Sequence, residues 1–218
     1  AQNLNGHSAS DLDLTVFNGK YSASCYIDGT ISALSNMSQN RGQSLSKLLK
    51  GAAAVFMHRP FHKMPLNAFS ISYLYALANG DKDDKQELQS LIKEADLGSE
   101  EIERELKEKP DLKSFLQTDI NKDLFPQTSK ALKALNKIES FKDKVLSKLK
   151  LGNELTKEMG NIYSGSIFAW LAAGIEDSMK NGKALNGKDA LLIGYGSGDA
   201  AEVIPISFTQ NCCENEKN

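Results

Sequence analysis

The chain has 218 residues, 40% hydrophobic and 25% charged, with 26 basic and 28 acidic side chains and a formal net charge of −2. That length and apolar content suffice for a sizeable core, and they exclude a disordered tail, a collagen-like fibre and a coiled coil over the whole length. The balanced charge argues against nonspecific nucleic-acid binding as the main role, and no apolar run reaches the roughly eighteen residues of a membrane span.

Residues 1–15 are polar and read as a loosely ordered segment, without the basic start or apolar run of a signal peptide. From Ser22 onward, Tyr26, Ile27, Thr30, Ile31, Leu34 and Met37 recur at three- and four-residue spacing, which predicts a helix. A second short helix over 44–49 meets a stop signal at Gly51. Residues 52–57 form a continuous apolar run, of a length that suits a fully buried strand in a parallel sheet. The run leads straight into His58-Arg59-Pro60-Phe61-His62-Lys63. Another apolar helix is expected over 66–78, closed by Asn79-Gly80.

Residues 81–150 differ in character, holding 15 Lys/Arg and 16 Asp/Glu, 31 of the chain's 54 charged side chains. Apolar residues from Leu88 to Ile138 keep helical spacing there, so the stretch reads as a charged helical insertion on the outside of the domain. Its cluster of Lys142, Lys144, Lys148 and Lys150 is solvated surface on one reading and a docking patch for phosphates or an acidic carrier protein on the other. Beyond 150 the core resumes. A helix over 162–177 carries Ile167, Phe168, Trp170, Leu171 and Ile175 with few charges, and is expected to be buried on most sides. A strand over 190–193, a tight loop at Gly194-Tyr195-Gly196-Ser197-Gly198 and a returning strand over 201–209 precede a polar tail at 211–218. Strands alternating with buried helices predict one layered α/β domain over 16–210.

His58 is the strongest single candidate for chemistry. It follows the end of a buried strand, where open α/β sheets place their ligands. The competing reading is a core histidine bonded to backbone. Pro60 fixes the local backbone and Lys63 adds a cation nearby, which suits a proton-transfer group beside an anionic ligand. His58 and His62 have helical ligand spacing, but Pro60 interrupts it and no Cys, Asp or Glu stands nearby, so no metal is expected. Gly160-Asn161 is either a helix cap or an amide donor aimed at a carbonyl oxygen. The 194–198 loop lacks the lysine and spacing of a phosphate loop and better fits the lining of an acyl pocket. Cys25 lies in a helical apolar pattern and reads as buried structure, while Cys212 and Cys213 lie in the tail. An odd cysteine count of this kind fits a reducing, cytoplasmic setting. The chain thus offers a base and an oxyanion donor without a convincing nucleophile.

Together these segments resemble one family. Met57-His58-Arg59-Pro60-Phe61-His62-Lys63 resembles the His-x-Pro-aromatic-x-Lys motif of hydroxymethylglutaryl-CoA synthases. Gly160-Asn161-Ile162-Tyr163-Ser164-Gly165-Ser166 resembles that family's Gly-Asn-(Ile/Met)-Tyr segment. Tyr195-Gly196-Ser197-Gly198 is similar to its closing loop, with Gly194 replacing the first Ser, and Asn18-Gly19-Lys20-Tyr21 through Cys25-Tyr26 is similar to the opening of its C-terminal half. Arg59 and His62 are local departures, and 81–150 matches poorly.

The resemblance implies the C-terminal half of a thiolase-like fold, layered α/β with a mixed sheet, plus the charged helical insertion. It implies condensation of acetyl-CoA with acetoacetyl-CoA, with the catalytic Cys in an absent N-terminal half supplied in cis or in trans. His58 and Asn161 then take the catalytic positions; Lys63, Tyr163, Gly196 and Ser197 contact substrate or CoA. No cofactor is implied beyond the coenzyme A thioester substrates, and the complete enzyme would be a homodimer. Two other readings stand beside it: a polyketide-pathway relative acting on a carrier-bound β-ketothioester, and a noncatalytic CoA-binding or scaffold subunit.

Overall fold

A computed structural model describes residues 18–118, 121–181, 185–196, 200–210 and 212. Helix α1 (Gly19–Asn40) starts where Asn18 turns its side-chain oxygen to the N–H groups of Lys20 and Tyr21. Helix α2 (Leu45–Gly51) is capped by Ser44, and Gly51 is its last residue rather than a stop beyond it. Strand β1 (Ala54–Met57) is buried at every position. It runs parallel to β2 (Asp189–Gly196), pairing Ala54 with Ala190 and Met57 with Ile193. Strand β3 (Ala200–Ser207) closes the sheet antiparallel to β2, in the order β1-β2-β3.

The sheet is therefore mixed. Gly194, Tyr195 and Gly196 belong to β2 and pair with Glu202, Ala201 and Ala200, so these three are strand and not part of the expected tight loop. Ser197 and Gly198 lie outside the described residues. Side chains alternate along a strand, so neighbours address opposite faces. Gly194 stands against Ile167 of helix α10 (Gly165–Lys180), and Tyr195 stands against Gly29 of α1. The three strands lie between those helices, the layered α/β arrangement expected of a thiolase-like fold.

Helix α3 (Lys63–Ala78) starts three residues earlier than expected and packs on α1. It carries twelve buried residues, so it is core on nearly every side. The charged region forms helices α4 (Lys82–Glu94), α5 (Glu100–Lys107), α6 (Leu112–Thr118), α7 (Pro126–Leu135) and α8 (Glu139–Lys144), then a 3-10 turn (Leu146–Leu149). Its apolar side is not a separate cluster. Leu88, Leu91, Ile102, Leu106, Leu132, Leu135 and Phe141 join the same core as β1 and α3. Helix α9 (Asn153–Met159) leads back toward α10.

Helix α10 departs from expectation. It begins at Gly165, with Ser164 at the cap position, so Asn161 is not its cap. Trp170 is fully buried, but Phe168 is 67% exposed. The helix buries one stripe against the sheet and leaves the other uncovered.

Candidate functional site

The end of β1 is pinned from several directions. The His58 N–H donates to Ile193 O at 2.9 Å, extending the ladder one residue past the strand. The Tyr26 hydroxyl donates to His58 O at 2.5 Å. Burial pushes the Tyr26 phenol far above its ordinary range, so it acts as a neutral donor. His58 is 8% exposed, and its ring lies in an aromatic corner with Tyr26 and Tyr195, whose rings are 5.0 Å apart. Its Nδ1 is 3.2 Å from Ser166 Oγ. Burial lowers the imidazole pKa, and hydrogen bonding to the Tyr163 carbonyl works against that shift.

Ser166 sits in the first turn of α10 and reaches three groups at once. Its Oγ donates to Tyr163 O at 2.7 Å, accepts the Arg59 N–H at 3.1 Å and touches the His58 ring. Asn161 shapes the turn before it. Its Oδ1 accepts from the Tyr163 N–H at 2.9 Å, and the side chain is exposed. Tyr163 adopts φ of 53°, a left-handed conformation that is unusual for a bulky residue. Tyr163 itself is 77% exposed. Asn161 thus orders the loop with its oxygen, and among the described residues its amide N–H groups have no protein partner.

Arg59, a departure from the family motif, is 4% exposed. Its guanidinium stacks over Trp170 at 4.8 Å, donates to Asn153 O at 3.2 Å, and also donates to Thr156 Oγ1 and His62 Nδ1. It ties the segment after β1 to α9 and α10. Burial first, then the nearby cations Arg59, Lys157 and Lys63, lower the His62 pKa, opposed by Glu154, which favours the neutral ring that accepts from Arg59. Lys63 is exposed at the start of α3, and Gly196 is exposed at the end of β2. His58, Tyr163 and the Asn161 turn are brought together; Ser197 lies outside the described residues. The sequence assigns no role to Ser166, Tyr26 or Tyr195, although all three stand within the quoted segments.

Three lysines of the patch are engaged within the chain, and Lys150 is exposed. Lys142 pairs with Glu139 at 2.6 Å and Lys144 with Glu87 at 3.1 Å. Lys148 donates to the backbone oxygens of Lys50 and Ala52, and burial lowers its pKa. Cys25 is fully buried. Among the described residues, no group of three or more His, Cys, Asp or Glu could hold a metal ion, and no helix is long and apolar enough to cross a membrane.

Comparison with known proteins agrees with the fold. The family model described as hydroxymethylglutaryl-coenzyme A synthase C terminal matches residues 11–218, a range that takes in 81–150. Among solved structures, the chain is similar to "MvaS in complex with 3-hydroxy-3-methylglutaryl coenzyme A", with a TM-score of 0.56 and 18% identity. That likeness covers 91% of this chain and 38% of the other, so the chain spans well under half the length of that relative. A search of curated proteins finds no match.

Proposed function

The chain belongs to the hydroxymethylglutaryl-CoA synthase C-terminal family, and from that membership we propose that it supplies the half of such a synthase that receives acetoacetyl-CoA. The observation that carries the reading is His58. It is held at the end of β1 by the Ile193 carbonyl, the Tyr26 hydroxyl and Ser166, with the Asn161 turn beside it. A ring fixed in this way presents one nitrogen to a substrate at low entropic cost. The free amide of Asn161 is a hydrogen-bond donor for an acyl oxygen. Lys63, exposed five residues beyond His58, suits the phosphates of coenzyme A.

On this reading acetyl is first carried on a Cys of an N-terminal half. Its enolate equivalent then attacks the ketone held by His58, and water releases the product. The burial of Cys25 supports a nucleophile supplied from outside this chain. The exposed Phe168, Tyr163, Ile162 and Met159 are the apolar surface such a half would cover. Coenzyme A thioesters enter as substrates, the complete enzyme is a homodimer, and its setting is cytoplasmic.

Two experiments test this. Incubated alone with labelled acetyl-CoA, the chain should stay unlabelled; stable stoichiometric acetylation of Cys25 would overturn the reading. Assembled with a Cys-bearing N-terminal half, His58→Ala should lower condensation by about a hundredfold or more, far beyond any loss of acetyl transfer. An equal loss of both steps would remove His58 from the role assigned to it.

A further inference from the structure

We infer that Ser166 is a positioning residue that fixes the His58 ring with its proton on Nδ1, so that Nε2 is the nitrogen left for substrate. The inference rests on the proposed role of His58 and gives that role a direction.

Ser166 has one hydroxyl hydrogen and can accept two more hydrogen bonds. Tyr163 O, 2.7 Å away, can only accept, so the hydroxyl hydrogen belongs to that contact. The Arg59 N–H, 3.1 Å away, fills one acceptor direction. Only an acceptor direction remains for His58 Nδ1 at 3.2 Å, so that contact requires hydrogen on Nδ1. The left-handed backbone at Tyr163, with the Asn161 side chain on its N–H, is part of the turn that carries the Tyr163 carbonyl.

The consequence is chemical. A neutral His58 shows substrate a lone pair at Nε2. It becomes a donor at that atom only after taking up a second proton. Stabilising a developing oxyanion on the ketone therefore calls for the imidazolium, while drawing a proton toward the ring calls for the neutral form.

Long-range proton–nitrogen NMR of the full chain at neutral pH reads the tautomer directly. The expected result is a protonated Nδ1 and a bare Nε2 for His58; a proton on Nε2 in the unmodified chain would overturn the inference. Ser166→Ala should give a mixture of tautomers, with amide signals away from the site unchanged, and Ser166→Thr should keep the Nδ1 proton. A Ser166→Ala ring identical to the unmodified one would take the role away from Ser166. In the assembled enzyme, Ser166→Ala should lower kcat for condensation by about tenfold with KM for acetoacetyl-CoA little changed. If His58→Ala left condensation intact, the proposed function would fall while the NMR result stood.

Discussion

A methyl group added at Gly174 would stand 2.3 Å from Cε1 of Phe56, a ring with no room to retreat inside the core. The absence of a side chain there lets α10 lie directly on β1. Gly152 makes the matching approach from the other side. Its φ is 68°, and a Cβ would meet the backbone N of Gly174 at 2.5 Å. Gly174→Ala is therefore expected to destabilise the chain by about 1–3 kcal/mol, read as a lower urea midpoint. Tyr26→Phe removes the hydroxyl that satisfies His58 O and should cost about 1–3 kcal/mol, because the carbonyl stays buried and loses its donor. The same variant should broaden the His58 ring signals. Unchanged stability would mean that another group satisfies that oxygen.

Four elements meet in one ionic network. Asp84 closes the capping box of α4, receives Ser46 Oγ of α2 at 2.5 Å and pairs with Lys50 at 2.7 Å. Glu87 takes Lys50 at 2.8 Å, Lys144 at 3.1 Å and the Tyr73 hydroxyl at 3.0 Å. Burial raises both carboxyl pKa values, but the hydrogen bonds and lysine charges outweigh it, and both end below their ordinary 3.8 and 4.5. A depressed folded-state pKa contributes stability that is present above the unfolded value and lost as pH falls through the folded one. The stability gap between the unmodified chain and Lys50→Met should thus be open at pH 7 and close as pH drops below 3.8; a gap that persists in acid would exclude ion pairing as its source. These elements also mark how far sequence carries. Residues 52–57 announce β1 because a continuous apolar run bounded by breakers has few other uses. Gly194-Tyr195-Gly196 reads as a turn because glycine density is a local signal, whereas the ladder that makes it a strand comes from Ala200 to Glu202 across the hairpin. His58 is legible from its place after the strand. Ser166 is not, because its contacts with His58 and Arg59 span more than a hundred residues of sequence.

At the scale of the whole chain, apolar surface remains uncovered. Phe168 and Tyr163 are 67% and 77% exposed, and Ile162 and Met159 lie in the same stretch. An apolar helical pattern cannot distinguish a face packed on its own core from one left exposed, which is why α10 reads as buried from sequence. Because Phe168 makes little of the core, Phe168→Glu should change the chain's own stability by no more than about 0.5 kcal/mol. The same change should abolish co-sedimentation with an N-terminal half if that face is the junction; normal assembly would place the junction elsewhere. Trp170, the chain's single tryptophan, lies just inside that helix, fully buried, its indole N–H on Leu151 O at 2.8 Å and its ring between Arg59 and Phe56. The molecule therefore carries a built-in optical reporter. Its emission should be short in wavelength in the native chain and shift red when the contacts among β1, α9 and α10 part, so the integrity of the His58 corner can be followed by unlabelled fluorescence.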